Sequence, residues 1–103
     1  MTTTFVDHVE SLEAGPVNLD GMDESDLHKF VAATRGVCPR RAAQRMFPEM
    51  PQHVLKAIRL LNSYARNKVT AIACRARGEI GYAQRYEEIC EGIYGCLPEY
   101  AKW

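Results

Sequence analysis

Residues 51–97 read PQHVLKAIRLLNSYARNKVTAIACRARGEIGYAQRYEEICEGIYGCL, and this segment predicts two long helices joined by a tight turn. In its first half, apolar residues recur every three or four positions and fall within about 80° of a helical wheel. The members of this seam are Val54, Ile58, Leu61, Ala65, Val69, Ile72 and Ala76. Pro51 suits the first turn of a helix, and Gly78 suits the left-handed residue that follows a helix end. We therefore predict a helix over residues 51–77.

A second helix follows almost at once. Its predicted apolar side holds Tyr82, Ala83, Tyr86, Ile89, Cys90, Ile93 and Leu97. Glu87, Glu88 and Glu91 are expected to point away from that side. Because little more than Gly78 separates the two helices, they must fold back on each other as an antiparallel hairpin over residues 51–97.

Two shorter helices are predicted before the hairpin. Asp23 is a good N-cap for the first of them, and Asp26 stands three residues later, where a capping-box acid belongs. Gly36 ends this helix. Pro39 then suits the first turn of a short helix over residues 40–47.

The N-terminal segment predicts one more helix, which is short and amphipathic. Thr4 could cap it, and Gly15-Pro16 stops it. We divide the chain into an N-terminal arm, residues 1–21, and a single helical domain, residues 22–103. The predicted fold is all-α with about five helices, in which the long hairpin carries the shorter N-terminal helices packed across it.

Length and composition describe one globular domain. The chain has 103 residues, of which 47% are hydrophobic and 25% charged, as is ordinary for a protein with one modest core. No run approaches the roughly 18 consecutive apolar residues of a membrane helix. The first residues lack the basic and apolar regions of a secretory signal. We therefore expect a cytoplasmic protein that does not contact membranes.

Charge is sorted into blocks along the chain. Residues 1–34 hold seven acids and one base, residues 35–77 hold ten bases and one acid, and residues 78–103 hold five acids and two bases. A basic centre of this kind either meets an anionic partner or is neutralised by the chain's own flanks after folding. The sequence leaves both outcomes open.

No group of residues in the sequence indicates an enzyme. His8, His28 and His53 have no Ser or Cys nucleophile at a recognisable spacing, and there is no glycine-rich phosphate loop. The four cysteines also lack metal-ligand spacing, so we expect small buried hydrophobic residues in a reducing compartment. A site built from Cys38, His28 and His53 is the most remote alternative. We predict no catalytic residue, no metal and no cofactor.

Nucleic-acid binding is the alternative function that the basic segment, residues 35–77, suggests. Residues 27–47 can be read as a helix-turn-helix unit in which Ala32 and Gly36 stand four apart. Ala42 and Ala43 depart from that pattern, since a larger aliphatic residue is usual there. Basic residues of the second short helix and of the long helix would contact phosphates. The predicted basic face comprises Arg40, Arg41, Arg45, Lys56, Arg59, Arg66 and Arg77.

The last helix and the residues after it suggest a protein partner. Gly81, Gly92 and Gly95 each cost a helix about 1 kcal/mol relative to alanine, which implies fraying or the close approach of another backbone. An aromatic run then follows, and aromatic residues favour interfaces. The candidate interface anchors are Tyr94, Tyr100 and Trp103.

These aromatic residues either contact a partner or fold back on the chain's own hairpin, and we expect the second. The function we favour is a small non-enzymatic helical binding protein, of adaptor or inhibitor type, that acts through protein–protein contacts. Self-association is also predicted, through the part of the apolar seam between Ile58 and Ala76, because a two-helix hairpin leaves much apolar surface to cover.

Overall fold

The computed structural model describes residues 17–34 and 52–103, which are mostly helical. Helix α1 is Glu24–Ala33, helix α2 is Gln52–Ala76 and helix α3 is Ile80–Cys96. A single 3-10 turn, Leu19–Gly21, precedes α1, and another, Glu99–Ala101, follows α3. Neither described range contains a strand, so the all-α class is confirmed there.

The predicted count of about five helices is not confirmed. The described part of the chain contains three α helices, of which α2 and α3 pack against each other as the predicted hairpin. The short helices predicted after Thr4 and over residues 40–47 lie outside the described residues. Gly36, the predicted end of α1, lies outside them too.

Helix α1 begins as its sequence predicts. The Asp23 carboxylate accepts a hydrogen bond from the backbone N–H of Asp26 at 2.8 Å, which satisfies one of the amides left free at a helix start. The side chains of Leu27 and Phe30 are buried, and Thr34 follows the last turn with its hydroxyl donating to the Phe30 carbonyl at 2.8 Å.

The side-chain amide of Asn62 connects α2 to α1 through hydrogen bonds. Asn62 is 4% exposed and donates to the Thr34 hydroxyl oxygen at 2.7 Å and to the Val31 carbonyl at 3.3 Å. Because a buried amide is costly unless it is hydrogen-bonded, these contacts fix the position of α1 along α2.

Gly78 forms the turn of the hairpin, as predicted. Its φ of +79° is a left-handed conformation. The N–H of Glu79 donates to the Cys74 carbonyl at 2.9 Å and the N–H of Gly78 donates to the Arg75 carbonyl at 3.0 Å. This pair of hydrogen bonds is the Schellman arrangement, which satisfies the last carbonyls of α2 and turns the chain into α3.

Substituting Gly78 with valine is expected to lower the free energy of unfolding by about 1–2 kcal/mol. The added side chain has room, since no atom of the described residues lies within 4 Å of its Cβ position, but a β-branched residue is strained at this φ. Thermal and urea unfolding followed by circular dichroism measure the change. Gly81→Val is the control, because Gly81 also has open space around it and its φ is not positive. Equal losses at the two glycines would contradict the prediction.

The core gathers side chains from every described element. Its largest fully buried side chains are Leu19, Leu27, Ile58 and Leu61. Leu19 belongs to the arm in our division of the chain, yet it packs into the same core as the helical domain. The remainder of the arm, residues 1–16, lies outside the described residues.

The apolar seam of α2 is buried over its first half only. Ile58 and Leu61 are each 1% exposed, whereas Ile72 is half-buried and Ala76 is exposed. The chain's own core already covers the first half of the seam. The seam therefore cannot pair two copies along the whole stretch from Ile58 to Ala76, as the sequence suggested.

Candidate functional site

Helix α2 carries five basic residues and no acidic one, and they fall into two groups. One group forms ion pairs with acids from the flanks of the basic segment. The other group has no ion pair within the described residues. Neutralisation by the chain's own flanks, one of the two outcomes left open by the charge blocks, is thus seen on one side of this helix.

Acids from both flanks neutralise the first group. The Lys68 ammonium lies 2.7 Å from a carboxylate oxygen of Asp20. The Arg75 guanidinium contacts both carboxylate oxygens of Glu87, at 2.6 and 2.8 Å, and this double contact lowers the pKa of Glu87 against the opposing effect of burial. Glu87 therefore faces α2, although the sequence predicted that it points away from the hairpin.

Arg77 belongs with this first group. It follows α2 directly, and its guanidinium lies 3.1 Å from Glu79, the residue that precedes α3. The contact raises the pKa of Arg77. Arg77 was predicted as part of the basic binding face, but the structure engages it in an ion pair with the chain itself.

The second group is Lys56, Arg59 and Arg66, and we call these three residues the basic face of α2. They lie within about 80° of arc and span about 15 Å along the helix. Lys56 and Arg66 are exposed, and Arg59 is half-buried. No acid of the described residues lies within salt-bridge distance of any of them.

Arg59 is the least satisfied of the three. Its Nε atom is buried and finds no hydrogen-bond acceptor in the described part of the chain. A donor buried without an acceptor costs roughly 1–3 kcal/mol. The described part of the chain thus supplies no acid within salt-bridge distance of this guanidinium.

Arg40, Arg41 and Arg45, which complete the predicted basic face, lie outside the described residues. So do Cys38 and His8, and with them the predicted helix-turn-helix unit beyond Thr34. The structure therefore places Lys56, Arg59 and Arg66 of that predicted face on one exposed side and Arg77 in an ion pair.

Two of the three predicted interface anchors pack within the chain. The Trp103 ring meets the edges of the Tyr64 ring at 5.0 Å and the Tyr94 ring at 4.8 Å between centroids. The Tyr94 hydroxyl also donates to the backbone carbonyl of Trp103. The residues after α3, 97–103, are called the tail below, and the expectation that they fold back on the chain's own hairpin is confirmed. Tyr100 is 44% exposed, although its hydroxyl donates to the His53 carbonyl at 3.2 Å.

A cluster of polar residues, which the sequence did not reveal, hydrogen-bonds the tail to the rest of the chain. The Asp20 carboxylate accepts hydrogen bonds from the Tyr64 hydroxyl at 2.7 Å, the Lys68 ammonium at 2.7 Å and the Trp103 indole N–H at 2.9 Å. We call these four residues the Asp20 clasp. Burial raises the pKa of Asp20, but the three donors outweigh it and hold that pKa below its ordinary value. Burial and the nearby Asp20 together raise the pKa of Tyr64.

The outer side of α3 is the second feature that the sequence did not reveal. Tyr82 and Ile89 were assigned to the apolar, inward side, but Tyr82 is 60% and Ile89 42% exposed. Ala83, Cys90 and Leu97 do face the core. The predicted apolar side was too wide. Among the described helices α3 packs chiefly on α2, and a helix covered from one side buries a narrower stripe.

The glycines of α3 have open space around them within the described part of the chain. Outside the helix's own nearby backbone, no described atom lies within 4 Å of the Cβ position of Gly81, Gly92 or Gly95. Among residues 17–34 and 52–103, no close approach of another backbone therefore accounts for these glycines.

The cysteines differ in their surroundings. Cys74 and Cys90 are buried, as predicted, whereas Cys96 is exposed. Burial raises the pKa of the Cys90 thiol to about 11, which leaves little thiolate for nucleophilic chemistry at neutral pH. Within residues 17–34 and 52–103 no three His, Cys, Asp or Glu side chains are grouped as a metal site.

Comparisons with known proteins give no relative for this chain: no protein family, curated protein or solved structure matches it. None of the described helices is both long and apolar enough to cross a membrane.

Proposed function

We propose that the chain is a small non-enzymatic helical binding protein, of adaptor or inhibitor type, that contacts an acidic partner protein through the basic face of α2. One observation carries the proposal. Three other basic groups of the hairpin are paired with the chain's own acids, whereas Lys56, Arg59 and Arg66 have no ion pair with any residue that the structure describes. Charges left unpaired on one side of a rigid helix steer and orient an oppositely charged partner.

The rigidity of α2 supports this role. Its residues around the basic face are anchored by buried neighbours such as Ile58 and Asn62, so the three charges keep a fixed spacing. A preorganised surface loses less side-chain and backbone freedom on binding than a flexible one. The arginines also suit carboxylates in particular, because a guanidinium can donate two parallel hydrogen bonds to one carboxylate.

Nucleic acid is the second candidate partner. The absence of any acid from α2 favours it, since no negative charge on that helix would repel a phosphate backbone. Arg40, Arg41 and Arg45 would extend the same surface if they lie beside it. The acids on α1 and α3 favour the protein partner instead, because they help to bring the net charge of the whole chain to zero, which gives it no overall attraction for a polyanion.

Arg66→Ala is expected to weaken partner binding by about three- to tenfold, whereas Arg75→Ala leaves it unchanged. Both arginines are exposed residues of α2, but Arg75 is engaged with Glu87 and Arg66 has no ion pair in the described chain. The protein, immobilised, captures its partner from a nuclease-treated lysate of the native host. The purified partner is then titrated against both variants over a range of salt concentrations.

The same two variants separate the candidates. A partner that survives nuclease, and that binds more weakly to Arg66→Ala, supports the acidic protein. Binding of duplex DNA or RNA at low ionic strength, with a steep loss as salt rises and the same sensitivity to Arg66→Ala, supports nucleic acid. Equal effects of Arg66→Ala and Arg75→Ala would show that the basic face of α2 is not the binding surface.

A further inference from the structure

Apolar side chains recur at a fixed interval along the outer side of α3. Tyr82 is 60% exposed, Ile89 is 42% exposed, and Cys96 is exposed as well. Each is seven residues from the next, so the three lie in one stripe that drifts by only about 20° per repeat. Helices that pack along each other carry two contact positions in every seven residues, and these three side chains occupy the first of them.

The positions between these side chains are held by Arg85 and Gly92. Each lies three residues after a member of the stripe, as the second apolar position of a seven-residue repeat does. At Gly92 no atom of the described residues outside the helix's own backbone lies within 4 Å of the Cβ position. This glycine leaves a flat place on the surface, which the packing of the described residues does not require and which costs the helix about 1 kcal/mol relative to alanine.

We propose that two copies of this chain pair through this stripe, with their α3 helices antiparallel. In an antiparallel pair, the first position of the repeat in one helix faces the second position in the other helix. Tyr82 of each copy then lies over Gly92 of the other, and Ile89 lies against the aliphatic part of Arg85. The largest side chain of the stripe is thus matched to its smallest residue.

This match is self-complementary, as a two-fold interface requires. Because Tyr82 and Gly92 are on the same helix, the two-fold axis produces the contact between Tyr82 and Gly92 twice, once at each end of the interface. A parallel pair would set Tyr82 against Tyr82 and Gly92 against Gly92, which leaves a gap at one end of the stripe. The antiparallel pair alone fills the surface over Gly92 at both ends.

Charged residues beside the stripe also favour the antiparallel arrangement. Arg85 and Glu88 are exposed and have no ion pair within the described chain. The antiparallel register places Arg85 of one copy about one residue, or 1.5 Å along the axis, from Glu88 of the other. Two such ion pairs form around the two-fold axis, whereas a parallel pair would oppose Arg85 to Arg85.

The size of the stripe sets the strength of the pair. From Tyr82 to Cys96 it spans about 21 Å and is one helix wide. It therefore buries less than the roughly 800 Å² per partner that stable complexes bury. We expect a weak dimer that populates at high protein concentration.

Sedimentation equilibrium up to about millimolar concentration tests the pair with two matched substitutions. Ile89→Ser removes a stripe residue from both copies and is expected to weaken association by about tenfold or more. Ile80→Ser changes the same residue type on the same helix at nearly equal exposure, 44% against 42%, but about 180° around the helix from Ile89. Ile80→Ser is expected to leave association unchanged.

Gly92→Ala provides a test that does not risk unfolding. Alanine is the better helix former, and its methyl group meets open space, so the thermal midpoint of the monomer is expected to rise. The same methyl group holds Tyr82 of the second copy away, so association is expected to weaken. A rise in the midpoint with unchanged association would overturn the proposal.

Cross-linking determines the direction of the two helices. In a Cys38→Ser background, the two Cys96 thiols of an antiparallel pair are offset by 18 residues, or about 27 Å, and a short bis-maleimide cannot join them. Thiols introduced by Ile89→Cys, with Cys96→Ser, are offset by only about 6 Å and are expected to cross-link. A monomer at the highest concentration, equal effects of the two serine substitutions, or efficient cross-linking through Cys96 would each overturn the antiparallel pair.

Discussion

Ile58→Ala is expected to lower the free energy of unfolding by roughly 2–5 kcal/mol, and Ile72→Ala by clearly less. The two isoleucines are on the same helix and in the same predicted seam. Ile58 is 1% exposed and lies within the core, whereas Ile72 is half-buried at its edge. Removing a fully buried side chain loses its apolar contacts and leaves a cavity, while the site of a half-buried one remains open to water.

Urea unfolding measured by circular dichroism gives both free energies under the same conditions. The slope of the unfolding transition should be alike for the two variants and the parent chain, since none of the changes alters the surface exposed on unfolding by much. Equal losses at Ile58 and Ile72 would mean that the seam is buried along its whole length, contrary to the structure.

Asp20→Ala is expected to lower the free energy of unfolding by roughly 1.5–3 kcal/mol and to shift the emission of Trp103 to the red. The substitution leaves the Tyr64 hydroxyl, the Lys68 ammonium and the Trp103 indole N–H without their shared acceptor. Trp103 is the only tryptophan, so its emission reports on the tail alone. Asp20→Asn, which keeps one acceptor oxygen, should give an intermediate loss.

The contribution of Asp20 to the free energy of unfolding depends on pH. Its hydrogen bonds determine whether that contribution rises or falls as the pH is lowered. Its pKa in the folded chain lies below the ordinary value of 3.8. The unfolded chain therefore takes up the proton first as pH falls, and the stabilisation is full above about pH 4 and disappears as pH drops through the folded pKa. The difference in stability between the parent chain and Asp20→Ala should shrink over that acidic range. A difference that stays constant down to pH 2 would contradict this assignment.

Features that depend on neighbours in the sequence could be predicted. Asp23 caps α1 through an amide three residues away, and Gly78 adopts a left-handed conformation because the chain must turn there. The bounds of α2 and α3 followed from the same local chemistry and from apolar periodicity. These signals lie within one or two helical turns, so they need no knowledge of the tertiary arrangement.

Features that depend on how the helices pack could not be predicted. Glu87 and Glu88 are adjacent in sequence, but only Glu87 lies at the α2 side of α3 and meets Arg75. Tyr82 and Tyr86 are about 40° apart on the wheel, and that difference leaves Tyr82 far more exposed. The Asp20 clasp joins residues 44, 48 and 83 positions apart, and no periodic pattern marks such contacts.

The long reach of the Asp20 clasp also bears on the order of folding. The hydrogen bond between Asp20 and Trp103 closes a loop of 83 positions, and the entropy lost in closing a loop grows with its length. Contacts between α2 and α3 join residues close in sequence and can form quickly. We infer that the clasp closes only after the hairpin exists and is among the first contacts to open in the native state. The single tryptophan thus records the last stage of folding, while helix formation precedes its signal.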